Sequence, residues 1–113
     1  MSEPSRGEIW LVDLNPVRGH EQAGRRPSLV ISVDGFNYGP AGLVVIIPIT
    51  RKAKGIPFHV EVHLPEGGVD HPSFIKCEDI RSIAKERLVE CFGRIDETTL
   101  MEVEDRLRIL LGL

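Results

Sequence analysis

The stretch Pro57–Leu64, PFHVEVHL, alternates without a break. Phe58, Val60, Val62 and Leu64 fall on one side, and His59, Glu61 and His63 on the other. Side chains of an extended chain point to opposite faces in turn, so this period of two marks a strand with one buried face. Outward from it, Pro65-Glu66-Gly67-Gly68 reads as a turn, and Ser73–Cys77 and part of 79–84 as further short strands. On the N-terminal side lies Leu43–Ile49, an apolar run in which Pro48 points to a sheet edge or a bulge. Gly7–Leu14 (GEIWLVDL) is a strand ended by Asn15-Pro16. A polar loop covers 15–27, Pro27 stands at the entry of a strand over Ser28–Val33, and 34–42 is rich in turn residues.

The C-terminus changes period. Leu100, Val103, Leu107 and Leu110 form one stripe of an amphipathic helix. Asp96 is its expected N-cap, Ile95 and Leu100 a hydrophobic staple, and Gly112 the C-terminal stop. Several short strands followed by one helix predict a mainly β fold with accessory helices, a small half-open antiparallel barrel capped by the C-terminal helix. Residues 1–6 read as a disordered tail and 7–113 as a single domain. Exposed strand edges and a small core point to a homodimer.

The chain has 113 residues and a net charge of −3. At 42% hydrophobic it is too apolar for a disordered protein. Its longest apolar run, Leu43–Ile47, is far short of the ~18 residues of a membrane span. Met1–Arg6 lacks the apolar centre of a signal peptide, so a cytoplasmic protein with no membrane partner is expected. Cys77 and Cys91 have no metal-like spacing and read as buried, reduced thiols. Charge is unevenly placed. Residues 18–54 hold Arg18, Arg25, Arg26, Arg51, Lys52 and Lys54 against Glu21 and Asp34, a local +4 that leaves −7 for the rest. Such a segment can attract phosphates despite the acidic total.

Four stretches carry residue types suited to chemistry. RGHEQAGRRP (18–27) places a base, Glu21 or His20, and a guanidinium, Arg25 or Arg26, on one glycine-flanked segment. A base and a bidentate phosphate ligand suit phosphoryl transfer on RNA, which brings its own 2′-hydroxyl nucleophile. A surface loop with incidental charges explains the same residues. Pro48-Ile49-Thr50 puts a hydroxyl at a strand end, where it is either a phosphate donor or a turn residue. Glu78, Asp79 and Arg81 meet the same rim or form a surface ion-pair cluster. His59-x-Glu61-x-His63 has metal-ligand types, but neighbours on one strand face run parallel rather than converge, and a solvent face explains them better. No metal and no cofactor is expected.

Together RGEIWLVDLNP (6–16), GHEQAGRRPSLVIS (19–32), PIT (48–50), PFHVEV (57–62), KCEDIRSIAKERL (76–88) and the late LGL resemble the MazF/PemK family of bacterial toxins. The resemblance implies a small SH3-like, partly open β-barrel and a homodimer. It implies a ribosome-independent endoribonuclease that cuts single-stranded RNA, and a cognate MazE-like antitoxin whose disordered tail covers the RNA groove. Arg26 then matches the family's catalytic arginine, Thr50 its second catalytic residue and Glu21 the loop acid proposed as base, with Glu78 the alternative base of the PemK-like branch. His20, Gln22, Arg25, Asn37, Lys76 and Arg81 complete the expected RNA-binding set. Asp79 and Ala84 depart from the family pattern, which often has Gln and Asp there. The competing readings are a gyrase-poisoning toxin on the same barrel and a catalytically dead RNA-binding domain.

Overall fold

The computed structural model describes residues 3–14 and 24–113. The strands are β1 (Glu8–Asp13), β2 (Arg25–Val30), β3 (Leu43–Thr50), β4 (His59–Val62), β5 (Ser73–Lys76), β6 (Arg81–Ala84) and β7 (Leu88–Arg94). A single helical turn, α1 (Asp34–Asn37), follows β2, and the helix α2 (Glu97–Leu111) closes the chain. All pairings are antiparallel, in the order β4-β5-β3-β2-β1-β7, with β6 on β3 beside β5. The sheet curls into a barrel that stays open.

β3 makes the curl possible. Along one side it pairs with β2; along the other it pairs with β6 over Leu43–Ile46, then with β5 over Ile49–Thr50. Pro48 falls between these two partners. The proline marks neither an edge nor a bulge: its missing N–H sits where β3 exchanges one neighbour for another and no ladder bond is lost.

The alternation sorts side chains into two cores. Ile9, Leu29 and Ile47 form a cross-strand rung on one face and pack with Ile49, Val60, Val62 and Ile75 beneath α2. Trp10, Val12, Val30, Val44, Ile46 and Ile83 fill the other face, inside the barrel. The α2 stripe behaves as its period requires, with Val103 and Leu107 buried, each worth about 1.5–3 kcal/mol of burial. Ile95 and Leu100 meet in the same cluster, as a staple should. Gly112 ends the helix in the left-handed conformation at φ 71°. Asp96 holds the N-cap position, but its side chain makes no capping bond; its N–H instead donates to Glu66 Oε2 at 2.7 Å.

Several expectations are corrected. β2 starts at Arg25, not Ser28, with Pro27 inside it: β3 joins only from Ser28, so at Pro27 the strand has β1 alone as a neighbour. It also ends early, because Ile31 and Ser32 both donate to the Val45 carbonyl (3.0 and 3.4 Å) and the chain turns out into α1. β7 is an additional strand. It pairs with β1 through two register shifts, which erase the period-two signature. Cys77 is buried, but Cys91 is exposed on β7. At the end of the expected tail, Arg6 bonds the Ile31 carbonyl (2.9 Å), Glu104 (2.7 Å) and, through its N–H, Asp34 (2.8 Å).

Candidate RNA-binding and catalytic cleft

Register places the site. The last β2–β3 pair is Ser28 opposite Pro48. Two residues beyond that pair, where the β2–β3 ladder has already ended, Arg26 and Thr50 fall by alternation on one face of the sheet. That face is fixed independently on the flanking strands, where Arg26 lies opposite Val12 and Thr50 opposite Phe74. Arg26 and Thr50 line one cleft of about 690 Å³, whose described walls also include Arg25, Arg51, Lys52, Asp70 and Phe92. Thr50 Oγ1 accepts the Lys52 N–H at 3.2 Å. The hydroxyl is thereby oriented and keeps its own proton to donate.

The opposite wall depends on one glycine. Gly68, at φ 73°, passes so close to β7 that a Cβ would lie 2.1 Å from the Phe92 carbonyl oxygen. That crossing brings Val69 and Asp70 to the cleft. Asp70 lies 3.4 Å from Arg51 and 2.8 Å from His71 Nδ1, and the imidazole bond holds its carboxyl below the ordinary value. Among the described lining residues, four cations stand against one carboxylate, a positive field suited to phosphate.

The other expected residues divide. Arg25 is exposed and lines the cleft. Glu21, His20 and Gln22 lie outside the described residues. Asn37, expected to bind RNA, is fully buried: its amide donates to the Ser32 carbonyl at 2.9 Å and its carbonyl accepts the Ser32 hydroxyl. It fastens α1 to the barrel. Lys76 lies on the Thr50 face of β5 and pairs with Asp79 at 2.8 Å. Arg81 is half-buried on β6, opposite Ile46. Glu78 is not among the cleft residues. Its Oε2 sits 2.7 Å from His59 Nε2, and the His59 side chain is only 4% exposed. His59 is therefore not part of a solvent face, and only Glu61 and His63, 3.4 Å apart, remain there. Among the described residues no three metal-ligating side chains gather, and no helix is long and apolar enough to cross a membrane. The sequence reading did not place Arg51, Lys52, Asp70 or Phe92 at the site. The basic pair directly after Thr50 was a usable signal for the first two; Asp70 and Phe92 arrive only through the glycine crossing.

The fold and cleft define a small open β-barrel whose rim brings a guanidinium and a hydroxyl from neighbouring strands to one cleft rich in cations. Residues 5–111 match the family model described as the PemK-like, MazF-like toxin of type II toxin–antitoxin systems. The chain is 39% identical over 109 residues to the endoribonuclease MazF of Staphylococcus epidermidis, covering 96% of this chain and 91% of that protein. It is 37% identical to the endoribonuclease EndoA of Bacillus subtilis, covering 96% and 94%. The crystal structure of MazF from Deinococcus radiodurans superposes with a TM-score of 0.89 at 33% identity over the whole of both chains. MazF in a MazE–MazF complex from the same organism gives 0.83 at 34% identity, covering 100% and 99%. The chain belongs to the PemK/MazF family of toxins of type II toxin–antitoxin systems.

Proposed function

We propose that this protein is the toxin of a toxin–antitoxin pair and a sequence-selective endoribonuclease that cuts single-stranded RNA by transesterification and so stops translation and growth. The observation that carries the reading is that Arg26 of β2 and Thr50 of β3 line one cleft. The 2′-hydroxyl attacks the adjacent phosphorus and gives up its proton to a base. Negative charge gathers on the non-bridging oxygens, where the Arg26 fork and the Thr50 hydroxyl donate hydrogen bonds. The bond to the 5′-oxygen then breaks and that oxygen takes a proton. The products are a 2′,3′-cyclic phosphate and a 5′-hydroxyl. The nucleophile comes from the substrate and the countercharge from arginine, so the step requires no metal. Glu21, four residues before β2 in the sequence, is the proposed base. Glu78 stands outside the cleft with its carboxylate tied to His59, and is left out of proton transfer.

The proposed setting is a cytoplasmic homodimer held in check by a MazE-like antitoxin. The +4 of residues 18–54 favours an acidic, amphipathic antitoxin tail, so added salt should weaken that complex. The test is cleavage of a long synthetic RNA in EDTA with end-group analysis. Cyclic phosphate and 5′-hydroxyl ends are expected. Intact RNA together with arrested DNA gyrase contradicts the reading in favour of a non-enzymatic poison.

A further inference from the structure

The face that carries Thr50 continues across two more strands. Thr50 on β3, Phe74 on β5 and Glu61 on β4 form one cross-strand rung; Lys76 and His59 form the next. From strand spacing and rise, His59 lies about 12 Å from Thr50. That is too far to act on the phosphate held at Thr50, and within reach of a neighbouring nucleotide. Between the two points the face offers Phe74, a half-buried aromatic ring on which a base can stack, and Lys76.

At the end of this strip lies a buried-to-exposed pair. The imidazole of His59 is almost wholly enclosed, while the carboxylate of Glu78 is 30% exposed. A carboxylate offers only lone pairs, so the imidazole donates from Nε2 to Glu78 Oε2 at 2.7 Å. The other ring nitrogen, Nδ1, is buried with no hydrogen-bond partner. A buried polar atom left unmatched lowers stability, and an apolar side chain would fill the site without that loss. The one bond the ring makes aims the carboxylate outward and leaves its second oxygen to accept.

We propose that Glu78, held by His59, is a specificity-determining acceptor that reads a nucleobase beside the scissile phosphate and selects one bearing an exocyclic amino group over uracil. This inference rests on the nuclease reading. Carboxylates take the amino hydrogens of bases, whereas the O4 of uracil would bring a second acceptor against them. His59 is a positioning residue: it touches Glu78, not RNA.

The test is a set of synthetic RNAs in which each position around the cleavage site carries every base in turn, cut by wild type, Glu78→Gln, His59→Phe and His59→Gln. Glutamine at 78 supplies a donor that tolerates uracil. Discrimination between amino-bearing bases and uracil should therefore fall about tenfold or more at one position, with preferences elsewhere kept. His59→Phe should lose the same discrimination without a lower melting temperature, and His59→Gln, whose amide nitrogen can replace the Nε2 donor, should restore it. An equal loss on every RNA with the preference intact overturns the inference, because it marks Glu78 as the general base. An unchanged profile overturns it too, while leaving the nuclease reading in place. Wild-type protein that cuts no RNA in the set overturns both.

Discussion

Arg26 and His59 occupy one face of one sheet in opposite surroundings. Arg26 is exposed at the end of β2, in a cleft lined by further cations. His59, the first residue of β4, has its side chain enclosed and holds a single carboxylate. The first arrangement suits a ligand that every RNA presents in the same form, the phosphate, and attracts it through a field. The second suits discrimination, because a fixed acceptor in a partly dry site rewards only a matching donor. Phosphate contacts position and base contacts specify, and the two proposed tasks fall on strands that have two others between them.

This contrast can be broken at its strongest point first. Arg26→Ala should lower the cleavage rate about 10³-fold, with Arg26→Lys intermediate, because an ammonium cannot reproduce the two-pronged contact. Single-turnover cleavage checks it, and a fall confined to particular sequences would place Arg26 in recognition instead. Next is the wall facing it. Gly68→Ala forces a Cβ against the Phe92 carbonyl and strains a left-handed residue, and should destabilise the fold by about 2–4 kcal/mol in urea denaturation. Removing one cleft cation, as in Arg25→Ala, should reduce the slope of log affinity against log salt by about 0.7 for single-stranded RNA. Glu78→Gln should leave that slope within error if its role is reading a base. The smallest effect concerns the thiols. Burial pushes the Cys77 thiol up to about 11, with the neighbouring Glu78 carboxylate adding to the shift. At pH 8 the native protein should therefore take up one equivalent of iodoacetamide, at exposed Cys91, and a second only when unfolded.

What the sequence reveals follows what is local. β4 and α2 declare themselves by period, because each has one face on the core and one away from it. β7 does not, since the shifts in its pairing with β1 move successive side chains out of alternation. Arg25-Arg26-Pro27 reads as loop by composition, yet it is extended because β1 supplies a partner, which is a tertiary decision. Asn37 reads as a polar turn residue and is instead the buried clasp of α1 to the barrel. Arg26 and Thr50 are recognisable as candidates from their motifs, but their place on one cleft depends on a register set by Ser28 against Pro48, which neither strand states alone. The enclosure of His59 has the same origin, for it requires Glu78 from a turn nineteen residues away.

The most direct test of the central claim is a double-mutant cycle on the cleavage rate with Arg26→Ala, Thr50→Val and the two combined. Groups that stabilise the same phosphorus centre act as a unit, so the double variant should lose little more than Arg26→Ala alone. A double variant whose loss equals the product of the two single losses would mean that the guanidinium and the hydroxyl act at separate places, and would contradict the account.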